Sequence, residues 1–390
     1  MNMRRILKLK DCCTIIAGQS PESKYYNTDG VGVPFFQGKA DFGELYPTVR
    51  VYCSQPTKIA EKDDILLSVR APVGPTNLSP GRVCIGRGLT AIRPSSNINL
   101  RYLLYYFRFF EAQLSAKGTG TTFKAITQAT VKNLDVPVPS LSEQERIVSR
   151  IEELFSQLDA SVAELKTAKE RLKVYRQAVL KEALDGIQDV CETTTIQSVC
   201  KDIKVGIVIR PTQYYVDSDG VRAFRNANVR RGFVEDNDWA MISKDGHEKN
   251  RRSEVHTGDV LIARSGVNLG MAAAVPEKFD GYNAIDVVIA VPKQEYVLSK
   301  YLAYYTNSPH GMNSVKANQR GVAQGHLNVK VYGKLPLMLP ALEYQEKVVS
   351  KIEEQVSVCD GIEKTGDIAL QQAEALRQSI LKKAFEGKLM

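Results

Sequence analysis

Hydrophobic residues recur over residues 139–186 with the spacing of a helix seam. Ile147, Ile151, Leu154, Leu158, Leu165, Ala168, Leu172, Tyr175 and Val179 alternate at steps of three and four, with Ser161 the weak step. A seam of that kind needs a partner helix. At ~1.5 Å per residue, about 45 residues make a rod of roughly 70 Å. Ser142 and Glu145 read as a capping box at its start, and Gly186 as a left-handed stop.

The same helix is written twice. Pro139–Gly186 aligns without a gap to Pro340–Gly387, 201 positions later, and about 18 of 48 pairs are identical. Gln144-Glu145 returns as Gln345-Glu346, and Arg176-Gln177 as Arg377-Gln378. The second seam includes Val348, Ile352, Ile362 and Leu376. Gly361 and Gly366 each weaken that copy by about 1 kcal/mol relative to alanine, which predicts a bend or a loosened turn. The simplest partner for each helix is the other one; a short seam could instead dock on another protein, and both can hold on different faces.

The segments before each helix echo one another more faintly. "DDILLSVRAPVG" from Asp63 matches "GDVLIARSGVNLG" from Gly258, each a short apolar strand entering a polar, glycine-bearing loop. "RYLLYYF" from Arg101 matches "KYLAYYT" from Lys300, a short helix with paired tyrosines. "GVPFFQGK" from Gly32 pairs with "GVRAFRNAN" from Gly220, and "TGTTFKAIT" from Thr119 with "RGVAQGHLN" from Arg320. The order is globular segment, long helix, globular segment, long helix, as a tandem duplication would leave it. The boundaries fall at 1–138, 139–188, 189–339 and 340–390. The fold class is α+β, with two globular α/β-type domains in tandem.

Composition adds a partner. The 390 residues carry a net charge of +8. Residues 1–133 hold 18 basic against 9 acidic side chains, and residues 191–334 hold 19 against 15. Both helical segments are net acidic. Basic globular segments suggest a polyanion, nucleic acid first; charge alone leaves a purely solubilising role open. No apolar run approaches the ~18 residues that span a membrane, and the start lacks a signal-peptide core, so the expectation is cytoplasmic. Seven cysteines without Cys-x-x-Cys spacing and four histidines without a ligand pattern give no metal or disulfide framework.

Motifs for chemistry are missing. Gly32 to Lys39 fails as a phosphate loop, because Ala40 stands where Ser or Thr binds magnesium. Gly86-Arg87-Gly88 is a dinucleotide look-alike followed by Arg93-Pro94 where a helix should run. There is no Asn-Pro-Pro-aromatic motif of an amino-methyltransferase and no nuclease carboxylate–lysine set. The expectation is a non-enzyme with no cofactor of its own.

Two variable globular segments, each followed by a helix opening Pro-x-Leu-x-x-Gln-Glu-[Arg/Lys]-[Ile/Val]-Val, resemble the specificity subunit of type I restriction–modification enzymes. The openings here are Pro139 to Val148 and Pro340 to Val349. The resemblance covers nearly the whole chain. It implies two target recognition domains, each reading one half of a split double-stranded DNA sequence. It further implies long helices packed as an antiparallel coiled coil with pseudo-two-fold symmetry. Those helices would set the spacer and dock two methyltransferase subunits that bind S-adenosylmethionine; restriction/translocase subunits would join them. In that family the specificity subunit is not catalytic. Two readings stand beside it: a specificity module of a related restriction system, and a coiled-coil adaptor that does not read DNA.

Base readout needs paired donors and acceptors on loops. The candidates are Gln37, Lys39, Arg70 and Lys124 in the first domain, and Arg225, Asn226, Asn228, Arg264, Asn268 and Gln324 in the second. Arg70 and Arg264 rank first because each follows the same strand. The tyrosine pairs Tyr105-Tyr106 and Tyr304-Tyr305 read as core rather than as base-stacking platforms.

Overall fold

The computed structural model describes residues 5–119, 124–317 and 326–389. The chain forms two compact units. One comprises Met1–Leu165 with Ile368–Met390, the other Lys166–Asp367. Each unit therefore contains a globular part and a stretch of both long helices.

The first unit uses strands β1 (Arg5–Lys8), β2 (Cys13–Ala17), β3 (Val33–Phe36), β4 (Ile65–Ser68), β5 (Thr76–Leu78), β6 (Val83–Ile85), β7 (Leu89–Pro94) and β8 (Asp135–Val138). A four-stranded sheet runs β2-β7-β4-β5 with every neighbour antiparallel. β3 pairs parallel with β6, and β1 pairs antiparallel with β8 as a separate ribbon. The period of two explains the layers. Ile65 and Leu67 face one core, with the tyrosine helix Leu100–Ala116, while Leu66 faces a second core with Phe36 and Ile85.

The second unit repeats the plan with β9 (Glu192–Thr195), β10 (Cys200–Val205), β11 (Val221–Phe224), β12 (Val260–Ala263), β13 (Ala272–Ala274), β14 (Asn283–Ala284), β15 (Val287–Pro292) and β16 (Pro336–Leu339). Its sheet runs β10-β15-β12-β13, again antiparallel throughout. β11 pairs parallel with β14, and β9 forms a ribbon with β16. Val260 and Ile262 face one core and Leu261 and Ala263 the other. The echoes in sequence are thus a repeated topology.

Where each ribbon enters its long helix, one buried amide ties three elements together. Gln144 is 0% exposed. Its Oε1 accepts from the Asn99 N–H at 2.7 Å, and its Nε2 donates to the carbonyls of Asn97 at 3.1 Å and Pro139 at 2.9 Å. Gln345, also 0% exposed, repeats this: Oε1 accepts from the Leu298 N–H at 2.9 Å, and Nε2 donates to Tyr296 at 2.8 Å and Pro340 at 2.9 Å. The tyrosine helices are pinned to the same ribbons. Tyr102 donates to the Pro137 carbonyl and Tyr301 to the Met338 carbonyl. Tyr105, Tyr106 and Tyr305 are buried, as core residues. Burial pushes the Tyr106 phenol up to about 12, and its hydroxyl donates to the Asp135 carbonyl at 2.6 Å.

The long helices run Leu141–Asp185 and Leu342–Phe385. In the second unit Lys169 pairs with Asp367, Arg176 with Asp360 and Glu363, and Glu182 with Lys351. Rising numbers meet falling ones, so the helices are antiparallel. In the first unit Arg377 pairs with Asp159 and lies over the Phe155 ring at 4.7 Å. Burial is concentrated near the helix ends: Ile147, Ile151, Val348 and Ile352 are buried, and Leu154, Leu158, Leu165 and Leu172 are half-buried.

Several expectations are corrected. Ile362, Leu376 and Tyr175 are about half exposed and Ala168 is exposed. Tyr175 reaches the facing helix by donating to Gln355 Oε1 at 2.9 Å, and cross-helix ion pairs rather than buried apolar packing run along the middle. Ser140, rather than Ser142, accepts from the Glu143 N–H at the helix start. Gly186 is not left-handed, whereas Gly387 is, at φ +78°. The second helix continues unbroken through Gly361 and Gly366.

Replacing Gln144 by Leu strands one backbone donor and two acceptors in a dry site. The expected loss is about 2–4 kcal/mol of unfolding free energy, read from urea denaturation; Gln345→Leu should cost the same. An unchanged midpoint in both variants would remove the amide from this role.

Candidate nucleic-acid interface

β2 and β4 are both antiparallel to β7, so their C-terminal ends leave the sheet at the edge where β7 begins. The loops at that edge are stitched to one another. Gly18 N–H bonds the Leu89 carbonyl at 2.9 Å, Val69 N–H the Gly88 carbonyl at 2.9 Å, and Gly86 N–H the Phe36 carbonyl at 2.8 Å. Ile126 N–H bonds the Val69 carbonyl at 3.0 Å, and Arg70 bridges to Ala125. The loop after β3 lies so close that a Cβ on Gly88 would sit 2.2 Å from the Gln37 carbonyl oxygen, which only glycine tolerates.

This stitching gathers Gln37, Lys39, Arg70 and Lys124 on one edge, all of them exposed. It adds Arg87, also exposed, which sequence reasoning set aside together with the failed dinucleotide motif. The missed signal is plain in retrospect: an arginine between two glycines that join two strands. Among the described residues, neither Arg70 nor Arg87 forms an ion pair. This edge therefore presents unneutralised cations on short, fixed loops.

The second unit builds the same edge with different chemistry. Gly206 N–H bonds the Val287 carbonyl at 2.9 Å, Ile285 N–H the Phe224 carbonyl at 2.8 Å, and Leu327 N–H the Arg264 carbonyl at 2.8 Å. Asn226 is the hub. Its Oδ1 accepts from the Arg264 N–H at 2.7 Å, its Nδ2 donates to Ser265 Oγ at 2.9 Å, and its carbonyl accepts from Asn268 Nδ2 at 2.9 Å. Where the first unit has Arg87-Gly88 before the central strand, the second has Asp286, which pairs with Arg264 at 3.1 Å.

Several candidates are thereby reassigned. Asn228 is buried, and its amide donates to the Glu235 and Asn237 carbonyls while its Oδ1 accepts from the Arg225 N–H. Asn268 is buried on Asn226. Both side chains hold the loops and have no free edge for a base. Arg264 is mostly buried and neutralised, so it positions its loop. Arg225 pairs with Asp238 and keeps part of its side chain exposed. Gln324 lies outside the described residues. Arg210, exposed on the loop after β10, was not singled out from sequence.

The repeated Arg–Gln pairs have a separate place. Arg176, Gln177 and Leu180 line a cavity of about 730 Å³ in the second unit, with Tyr304, Met271 and Val356. Arg377, Gln378 and Leu381 line one of about 380 Å³ in the first, with Arg108 and Phe155. Among the described residues no group of three or more His, Cys, Asp or Glu is placed to hold a metal ion, and no helix is long and apolar enough to cross a membrane.

Asn226→Ala removes the hub and should lower stability by about 1–3 kcal/mol. Arg70→Ala touches nothing that holds the fold and should stay within about 0.5 kcal/mol of the parent. Parallel urea titrations distinguish the two; equal losses would contradict this division into scaffold and surface.

Comparison with known proteins points one way. The family model described as "Type I restriction modification DNA specificity domain" matches residues 5–170. A putative type I restriction enzyme specificity subunit, MjaX, from Methanocaldococcus jannaschii is 38% identical over 173 residues, which is 44% of this chain and 40% of that protein. The EcoKI specificity subunit of Escherichia coli is 25% identical over 380 residues, covering 90% of this chain and 80% of that one. The crystal structure of the HsdS subunit from Thermoanaerobacter tengcongensis is 47% identical where it aligns, over 40% of this chain and 38% of that one, with a TM-score of 0.37. The chain's match thus spans well under half the length of the M. jannaschii relative.

Proposed function

We propose that the chain is a specificity subunit of the type I restriction–modification family and that it reads a bipartite double-stranded DNA target, one half-site per unit. The observation that carries this reading is the duplicated loop edge: one topology, two sets of exposed side chains. In the first unit Arg70, Arg87, Lys39 and Lys124 supply cations, and Gln37 supplies a paired donor and acceptor. In the second, Arg210 and the exposed part of Arg225 take that place. Phosphate contacts would fix register, and base-edge contacts would specify.

The antiparallel helices act as the spacer. Two half-sites read from one face of B-DNA sit near one helical turn apart, ~34 Å. The same helices dock two methyltransferase subunits. The half-exposed apolar residues Ile362, Ile368 and Leu376 are available on those helices for such docking. Methylation, with S-adenosylmethionine, and ATP-driven cleavage belong to those methyltransferase and restriction subunits; this chain supplies specificity without a reaction of its own.

Two measurements test the reading. In the assembled complex, Arg70→Ala and Arg87→Ala should each reduce the slope of log affinity against log salt by about one. Arg264→Ala combined with Asp286→Ala removes a neutral pair and should leave it unchanged. Affinity without salt dependence would favour an adaptor. A four-residue insertion at Ala168, matched by one at Asp367 on the facing helix, should lengthen the unspecified spacer by about two base pairs. Both half-sites should stay the same. Sequencing methylated adenines reads this directly, and an unchanged spacer would sink the ruler role.

A further inference from the structure

Val267 is 97% exposed, at the tip of the loop that follows β12. That loop is not loose. Arg264, Ser265 and Asn268 are all bonded to Asn226, and Gly270 N–H bonds the Ala263 carbonyl at 2.8 Å. Inside it, Leu269 N–H bonds the Gly266 carbonyl at 3.2 Å and Met271 N–H the Asn268 carbonyl at 2.8 Å. Gly266, at φ +71°, supplies the left-handed turn just before the tip. The chain therefore holds a β-branched apolar side chain in water on a rigid mount, where a flexible loop would fold it back against the protein. Ile209, 77% exposed, stands on the neighbouring loop after β10. The two loops are joined because Asp286, which pairs with Arg264, donates its N–H to the Ile207 carbonyl at 3.1 Å.

An apolar group has no hydrogen bond to offer a base edge. In the major groove it can distinguish one feature, the C5-methyl of thymine. Wedging between base steps uses longer side chains such as Phe, Leu, Ile or Met, and valine is too short for that. The geometry points to Val267 as a specificity-determining residue that packs on one thymine methyl of the DNA target. This rests on the DNA-reading function above and adds to it a named base contact.

The test uses the complex assembled with its methyltransferase subunits and the target found by sequencing methylated sites. Each thymine of that target is replaced in turn by deoxyuridine, which deletes the 5-methyl and nothing else. One replacement should weaken specific binding by about 3- to 10-fold, the worth of one buried methyl. Val267→Ser, whose exposed position leaves the melting temperature unchanged, should lose a similar factor on the parent site. It should also become insensitive to that one replacement, the signature of a coupled pair. A target without thymine, a thymine series without effect, or a variant that keeps full methyl sensitivity would each overturn the assignment to Val267. In all three cases sequence-specific binding survives. Loss of sequence-specific binding by the parent complex itself would instead bring down the DNA-reading function.

Discussion

A buried glutamine side chain, used twice, organises each half of this protein. A neutral amide in a dry site must meet its partners or cost free energy. Gln144 meets three, and they come from the turn before the tyrosine helix and from the proline that ends the ribbon. Gln345 meets the equivalent three. The start of each long helix is thereby locked to the globular part that precedes it. A helix hung on an apolar contact alone would be free to rotate about its entry. One hung on three directed hydrogen bonds is not. The Pro-x-Leu-x-x-Gln-Glu opening is thus a mechanical joint, and its retention in both copies follows from backbone groups that no other side chain satisfies.

The same economy governs the sheet edges. Antiparallel pairing around a central strand brings two flanking strand ends and one strand start to a common edge in each unit, whatever the loops contain. Close backbone approach then fixes the loops, through Gly88 against Gln37 in one unit and through Asn226 in the other. With the scaffold carried by main-chain bonds, the exposed side chains are free to differ. The first unit leaves Arg70 and Arg87 bare, and the second neutralises Arg264 with Asp286 and presents Val267 and Ile209. Two loop edges of unlike chemistry arise from one topology.

The long helices were legible because periodicity and a gapless repeat both report on them, and each signal survives without tertiary context. β4 and β12 were legible as short apolar runs entering glycine-bearing loops. What failed was the assignment of polar loop residues. Asn228 and Asn268 have the composition of base readers, yet they spend their amides on their own loops. A sequence does not say whether a donor points outward or back. The seam failed in its middle for a related reason. Ile362 and Leu376 fit the heptad, but Arg176, Lys169 and Arg377 reach across to carboxylates and hold the helices where apolar packing was expected. Exposed ion pairs of this sort contribute little stability each; their value is in register. Arg87 was overlooked because its neighbours were tested against a dinucleotide-binding template and then dropped with it.

The contrast between the two edges bears on how recognition divides. On the proposed DNA-reading function, a bare arginine acts at a distance and on any phosphate, so the first unit would contribute more to encounter and to salt-sensitive affinity. In the second unit Arg210 and the exposed part of Arg225 share that long-range role, whereas the loop of the neutralised Arg264, with its rigid apolar tip, contributes almost nothing at a distance. It acts only on contact, where a methyl group in the right place is rewarded and its absence is not. Rigidity matters most for that second kind of readout, because ordering a flexible loop on binding would consume the small gain from one methyl contact. The hydrogen bonding of the Arg264–Gly270 loop, centred on Asn226, is what such a contact requires.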